Sequence, residues 1–371
     1  MPRYKMSDVV VEINERENNP AESKYERFVG LEHYVSGEVI IRNFGSTERL
    51  ESTMKVFQSG DILVARRNVY LKRAATVDFD GLTSGDSIVL RPTNYLIGRI
   101  LPFVLNTDAF WDFADRYSDG TMSKRLSPKT LMKYEFDLPN DDELSLLADT
   151  LWAANDTREA YQELLRQSDE LVKSQFIELF GDPIQNSMGW PQMTMKDASI
   201  RLSDGPFGSN LKSEHYRESG VRVIRLQNIC AGFFLDEDKA YVGLDHYEKI
   251  RKYTCKPGEI VIGTLGEPNL RACIIPEHIG IAINKADCVH YIPDPDLLKN
   301  SFVVPYIISP GVVDYALGDA HGNTRQRISS GQVAKLPIII PPIEKQREFE
   351  CIVQQLDKSK FIVQIAIYRA L

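Results

Sequence analysis

The sequence has no hydrophobic run approaching the ~18 residues of a membrane span, and its first residues, MPRYKMSDVV, lack the apolar core of a signal peptide. Neither insertion into nor export across a membrane is expected, and the cytoplasm is the simplest compartment. Cysteine is sparse: Cys230, Cys255, Cys273, Cys288 and Cys351 all fall in the second half, none spaced as CxxC. An odd number without that spacing argues against a disulfide framework and against a zinc site. His33, His215, His246, His278, His290 and His321 are scattered, with no His-x-x-x-His and no His-Glu-x-x-His. There is no Gly-x-x-x-x-Gly-Lys-Ser/Thr phosphate loop, no Gly-x-Gly-x-x-Gly after a strand and no Gly-x-Ser-x-Gly elbow. There is also no Asn/Asp-Pro-Pro-Tyr/Phe of the kind that holds a target amine, and the stretches IIPPIE and SDGPFG have the wrong neighbours for it. No catalytic residue and no metal ligand is assigned, and these absences move the weight from catalysis to binding.

What is present is a globular composition, 43% hydrophobic and 26% charged over 371 residues, long enough for two domains that each bury a core. The net charge of −8, taken alone, argues against a nucleic-acid binder. Its distribution argues differently, because local patches decide a binding face. Residues 65–75 carry Arg66, Arg67, Lys72 and Arg73 and no acid, and residues 320–335 carry Arg325, Arg327 and Lys335 and no acid. Residues 137–149 are the reverse, with Asp137, Asp141, Asp142, Glu143 and Asp149 and no base.

The chain also repeats itself. DGTMSKRLSPKTLMKYEFDLPN (119–140) and HGNTRQRISSGQVAKLPIIIPP (321–342) share Gly120/Gly322, Arg125/Arg327, Ser127/Ser329, Lys133/Lys335 and Pro139/Pro341. PRYKMSD (2–8) matches PQMTMKD (191–197), FVGLEHYVSG (28–37) matches VIRLQNICAG (223–232), and FQSGDILVA (57–65) matches CKPGEIVIG (255–263). Four correspondences in one order indicate two copies of one domain rather than a solenoid. Within a copy, SGDILVA and PGEIVIG read as a turn entering a β-branched strand, and GEVIIRNF as another strand. Residues 96–117 read as a helical segment, as do 302–317, the latter broken by Pro305 and Pro310. EFDLP and IIIPP read as closing strands. The class is α+β with many short strands.

A different kind of segment succeeds each copy. From Pro139 to Phe180 there is no Gly and no further Pro. Residues 144, 147, 151, 154, 158, 161, 165, 168, 172, 175 and 179 form a strict 3–4 alternation in which eight of eleven are apolar, which is a coiled-coil seam. Gly181 and Pro183 then stop the helix. As a helix, 140–180 would make a rod of roughly 60 Å. A second seam runs through Phe349, Ile352, Leu356, Ser359, Val363, Ala366 and Ala370. Each helix is too long for one small domain to cover, so the two are expected to pack antiparallel on each other. Domains would then be 1–139, a central spacer helix 140–181, 182–342, and a C-terminal spacer helix 343–371. GDPIQNSMGW, which joins the first helix to the second copy, has no counterpart after the second helix, while PRYKMSD matches the stretch just beyond that joint. The two ends are therefore expected close together, in a nearly closed ring with pseudo-twofold symmetry.

The binding-type features fall in loops. LSDGPFGSNLKSEHY (202–216) sets two glycines around Pro206 and Phe207, then Ser209, Asn210 and Lys212, which suits a backbone approaching an anion. RVIRLQNI places Arg225 and Gln227 on one face of an expected strand, residue types suited to guanine and adenine edges. TLGEPNLRA contributes Asn269 and Arg271, and its counterpart is the Arg66, Arg67, Lys72, Arg73 patch. The repeated phrase contributes Ser123, Lys124 and Arg125 in one copy and Asn323, Arg325, Gln326 and Arg327 in the other.

SDGPFGSNLK, VIRLQNI, KPGEIVI and HGNTRQRISSGQVAKLPIIIPPIEKQREF, with two similar domains each followed by a long helix, resemble type I restriction–modification specificity subunits. The likeness spans the chain and is tighter in the second half; VEINERENNPAESKY stands where the first copy would carry the DGPFGSNLK loop. The resemblance implies two target recognition domains, each reading half of a split, asymmetric site on double-stranded DNA, with the helices as spacers and as the docking surface for two modification (methyltransferase) subunits. It implies no cofactor in this chain. S-adenosylmethionine, ATP and Mg would belong to the modification and restriction/translocase partners, which methylate adenine at N6 and cut DNA. The competing readings are a self-sufficient modifying enzyme, which the missing motifs oppose, and a coiled-coil adaptor that binds only protein.

Overall fold

The computed structural model describes residues 2–120, 123–318 and 327–370, and of 359–370 the backbone alone. The chain divides into two compact units, Met1–Arg158 and Glu159–Leu371. Both are mixed α+β, and the repeat read from the sequence has a topological counterpart.

In the first unit a four-stranded sheet runs in spatial order Val10–Ile13, Ser87–Pro92, Ile62–Ala65, Ala74–Thr76. In the second, the order is Ser199–Ser203, Cys288–Pro293, Ile260–Gly263, Arg271–Ile274, all pairs antiparallel in both units. The central strands Ile62–Ala65 and Ile260–Gly263 are buried at every position, as their unbroken apolar runs require. A five-stranded sheet accompanies each. In the first unit it runs Arg16–Glu17, Met54–Phe57, Gly81–Thr83, Arg27–Val29, Gly45–Ser46. In the second it runs Tyr216–Arg217, Ala240–Val242, Val221–Ile224, Ala282–Asn284, Thr254–Cys255. Four strands of each correspond, with one parallel pair at the same place (Arg27–Val29 on Gly81–Thr83, Val221–Ile224 on Ala282–Asn284). The fifth strand is added at opposite edges. Each unit is closed by a two-stranded ribbon that joins its beginning to its end: Arg3–Lys5 with Glu135–Asp137, and Gln192–Thr194 with Pro337–Ile339.

The acids in SGD and PGE do the same work twice. The Asp61 carboxylate accepts the Gln58 N–H at 2.8 Å and a bidentate pair of bonds from Arg91 at 2.7 and 2.8 Å. Glu259 accepts the Lys256 N–H at 2.7 Å and lies 2.7 Å from His290 Nε2. His290 is fully buried, and its Nδ1 has no hydrogen-bond partner. Protonating Nδ1 would strand an N–H in the core, and burial holds the imidazole below its ordinary pKa against the opposing pull of Glu259. The unfolded chain therefore takes up the proton first, and stability is expected to fall as pH drops through about 6.5. Urea melts at pH 7.5 and 5.5 check this; in His290→Gln the pH difference should shrink.

Three local expectations are corrected. GEVIIRNF is not a strand. Val39 and Ile41 are buried, and the segment meets the edge strand only through an isolated bridge, Ile40 to Thr76. Residues 96–117 form two helices, Tyr95–Val104 and Asp108–Tyr117, because the Thr107 hydroxyl caps the second by accepting the Phe110 N–H. Pro305 does not break its helix, which runs Asn300–Ile307; Pro310 opens the next one, Pro310–Leu317, at a position where its missing N–H costs nothing.

The segment after Pro139 is one helix, Asp141–Phe180. Asn140 Oδ1 accepts the Glu143 N–H, and three acids lie in the first turn, where the helix dipole favours them. Gly181, at φ 76°, ends it with its N–H bonded to the Ile177 carbonyl. Ten of the eleven seam positions are buried or half-buried; Leu147 is exposed. In the first unit Leu144 and Ala148 join the core, and the Trp152 indole N–H donates to the Arg99 carbonyl. In the second, Phe176 and Phe180 pack with Phe302 and Phe349, ring centroids 4.8–5.6 Å apart. The second helix, Ile343–Ala370, is anchored by the buried Gln346, whose amide donates to the carbonyls of Leu297 and Pro341 and accepts the Lys299 N–H. The seam from Ser359 onward lies outside the described side chains.

Candidate nucleic-acid interface

In the first unit the basic stretch 65–75 and the Ser123, Lys124, Arg125 part of the repeated phrase come together. The loop after Ile62–Ala65 and the repeated phrase meet through an isolated bridge between Arg67 and Arg125. Asn68 N–H donates to the Lys124 carbonyl, Leu126 N–H donates to the Arg66 carbonyl, and Ser123 Oγ bonds Asn68 Oδ1. Arg66, Arg67, Lys72, Arg73, Ser123, Lys124 and Arg125 therefore belong to one loop cluster. Most of these cations have acidic or carbonyl partners. Lys72 pairs with Asp108 and Lys124 with Asp115, both at 2.6 Å, and hydrogen bonding to Asp108 raises the pKa of Lys72. Arg125 pairs with Asp86, which also lies 3.6 Å from Arg67. Beside the cluster is a cavity of ≈ 520 Å³ lined by Tyr70, Lys72, Trp111 and Arg116 among others, with Tyr70 66% exposed.

The second unit builds the equivalent junction. Leu265 bridges Arg327, Ile328 N–H donates to the Thr264 carbonyl, and Arg327 pairs with Asp287 at 2.6 Å. The SDGPFGSNLK loop lies here too, with the Arg327 guanidinium 5.7 Å from the centroid of the exposed Phe207 ring. Gly205 is required by contact, since a Cβ would meet the backbone of Asn284 and Lys285 at 2.4 Å. Ser209 and Asn210 lie in a short 3-10 turn and, with Lys212, are exposed. The turn is tied to a stacked imidazole pair: His215 Nδ1 accepts the Lys212 N–H, His246 Nε2 lies 2.8 Å from the Asn210 carbonyl, and the rings are 3.8 Å apart.

Four expected site residues, Arg225, Asn269, Arg271 and Arg73, have structural duties instead of a free face. The strand Val221–Ile224 ends before Arg225, and Gln227 lies in the 3-10 turn Leu226–Asn228, so the alternation expected for Arg225 and Gln227 does not apply. Arg225 Nε and Nη2 are taken by Asp238, and its guanidinium lies 5.9 Å from the centroid of the Tyr216 ring, so a bidentate fork toward a base would need the ion pair broken. Gln227 remains exposed. Asn269 is buried, and Arg271 donates to the Leu265 carbonyl at 3.2 Å. Arg73 makes the same bond to the Arg67 carbonyl, so these two arginines staple equivalent loops. Asn323, Arg325 and Gln326 lie outside the described residues. Sequence reasoning missed the carboxylates that hold these arginines, Asp86, Asp287 and Asp238.

No protein-family model and no curated protein sequence matches the chain. Solved structures do. An S subunit of a type I restriction–modification system from M. genitalium superposes with TM-score 0.57 at 14% identity, covering 100% of this chain and 92% of that one. The chain has the fold of a type I restriction–modification S subunit. A chain from a type I R-M system, solved for its complex assembly and conformational transition, superposes with TM-score 0.51 at 17% identity, covering 100% and 94%. Among the described residues no group of His, Cys, Asp and Glu is placed to hold a metal, and no helix is long and apolar enough to cross a membrane.

Proposed function

We propose that this chain is the non-catalytic DNA-specificity subunit of a type I restriction–modification complex. The observation that carries the reading is the whole-chain S-subunit fold, built here from two units of matching strand order. Each unit reads one half of a bipartite target through its loop cluster. The units differ in loop chemistry, with SDGPFGSNLK in the second alone, so the two half-sites differ and the target is asymmetric. The helices Asp141–Phe180 and Ile343–Ala370 pack as antiparallel spacers, bringing the ends of the chain together in a pseudo-twofold, nearly closed arrangement. Two modification subunits dock on this framework and supply S-adenosylmethionine-dependent adenine methylation; restriction subunits supply ATP- and Mg-dependent translocation and cleavage. The working place is the cytoplasm. A chain of net charge −8 suits this role because partner subunits share the phosphate contacts that dominate affinity.

Expression of the chain with its modification subunits, followed by methylome sequencing, should reveal one split motif with N6-methyladenine in both halves. Absence of any discrete bipartite motif refutes the reading. Deleting one heptad, residues 159–165, removes about 10 Å of helix at ~1.5 Å per residue, which is about three base pairs at ~3.4 Å each. With the second helix shortened to match, the unspecified spacer in the motif is expected to contract by about that amount while both half-sites persist.

A further inference from the structure

Both units hold the arginine of the repeated phrase against an aspartate at the same place in the fold. Arg125 pairs with Asp86 and Arg327 with Asp287. Each aspartate stands immediately before the other inner strand of the four-stranded sheet, Ser87–Pro92 or Cys288–Pro293, the neighbour of the central strand. Its backbone carbonyl accepts the N–H of the first loop residue, Arg66 in one unit and Thr264 in the other, at 2.9 and 3.0 Å. The carboxylates are only partly exposed, at 23% and 24%, whereas the arginines are about half exposed, at 47% and 50%. One acid thus joins three segments: the loop after the central strand, the turn before its neighbour, and the repeated phrase. Around these pairs the stapling arginines Arg73 and Arg271 also correspond, but other positions diverge, Arg67 standing where the other unit has Leu265, and Lys72 where it has Leu270.

We propose that Asp86 and Asp287 are positioning residues, one for each half-site, which fix the direction of Arg125 and Arg327 and the spacing of the loops beside them. This rests on the reading of the chain as a DNA-specificity subunit. A guanidinium held at one Nη2 by a carboxylate oxygen, as both of these are, has fewer directions open to its remaining N–H groups, so less rotamer entropy is lost on binding. Free of that grip, the same arginine is a mobile cation that can meet any phosphate. The aspartates therefore favour discrimination at the expense of raw electrostatic affinity, since each places a negative charge beside a DNA-facing surface.

The two effects have opposite signs, which makes the proposal testable. Asp86→Asn and Asp287→Asn remove one negative charge each while keeping the shape. At Asp287, where φ is 69°, asparagine also keeps the tolerance for left-handed backbone. The complex with its modification subunits is tested by methylome sequencing and by binding to DNA carrying single substitutions in either half-site. Each variant is expected to relax one half only, with discrimination there falling about tenfold or more and the other half unchanged. Asp86→Glu, which restores the charge, should recover most of the loss in the first unit; a thermal melt of each variant confirms that the fold stands. Unchanged discrimination in both variants, or tighter binding to an unchanged motif, overturns the proposal. If the unaltered complex reads no discrete sequence, it is the specificity-subunit reading that has failed, and it fails before the variants are compared.

Discussion

Replacing Phe180 with alanine is expected to lower the stability of the second unit by about 3–5 kcal/mol, as for other fully buried aromatics. Phe180 is 0% exposed and sits at the end of the long helix among Phe176, Phe302 and Phe349. Those rings come from the long helix, from Asn300–Ile307 and from the C-terminal helix, so one truncation opens a cavity where three elements meet. Local collapse is restricted because the Trp190 indole N–H donates to the Phe180 carbonyl and the Gly181 N–H to Ile177, fixing the backbone there. A urea melt should show a lower midpoint with little change in slope. Phe180→Leu, which keeps most of the volume, should lose much less. Equal loss from both substitutions would mean that ring-on-ring contacts, rather than filled volume, carry the junction.

The second large effect concerns the first unit's loop cluster. Changing Arg66, Arg67 and Lys124 together to alanine removes three cations that the loop bridges bring side by side. If each neutralises a phosphate, the slope of log affinity against log salt should fall by about 0.9 for each, nearly three in all. Between 50 and 200 mM salt, that difference corresponds to a salt sensitivity reduced by about 40-fold. The loss should be nearly uniform across DNA sequences, because phosphate contacts position and do not specify. A filter-binding titration of the assembled complex at several salt concentrations measures it. An unchanged slope would place the DNA elsewhere on this unit. It would also leave the ion pairs with Asp86 and Asp115 as the whole business of Arg67 and Lys124.

The parts of the fold legible in the sequence are those set by local forces. The 3–4 alternation from 144 to 179 could be read because side chains on one helix face recur with a fixed period whatever packs on them. The buried strands at Ile62–Ala65 and Ile260–Gly263 could be read because β-branched runs after a Gly turn have few alternatives. GEVIIRNF misled because burial does not require a ladder: Val39 and Ile41 reach the core from an irregular segment. The division of 96–117 depended on one hydroxyl, Thr107, and caps are decided by single hydrogen bonds that periodicity does not register. At the candidate site, the sequence showed where cations cluster but not who holds them. Asp86 is 39 residues from Arg125, and Asp238 is 13 from Arg225, separations across which a linear reading has no rule for pairing. The repeated serines, by contrast, act locally, each accepting an N–H three residues on. Ser127 and Ser329 cap the short helices Pro128–Leu131 and Ser330–Lys335, so two residues beyond Arg125 and Arg327 the phrase is helix-capping chemistry.

The closing ribbons have a consequence for how the molecule forms. Arg3 pairs with Asp137 and Gln192 with Ile339, so each unit ties its first residues to its last. A ribbon of that kind has almost no local contacts, and closing its loop costs entropy that only the interior sheets can offset. Formation of the ribbon therefore belongs late in folding, after the central strands have drawn its ends together. A nascent first unit cannot complete its ribbon until Glu135–Asp137 has left the ribosome. Until then Arg3–Lys5 presents an unpaired edge, and the time that edge spends waiting grows with every residue inserted into the recognition loops between them.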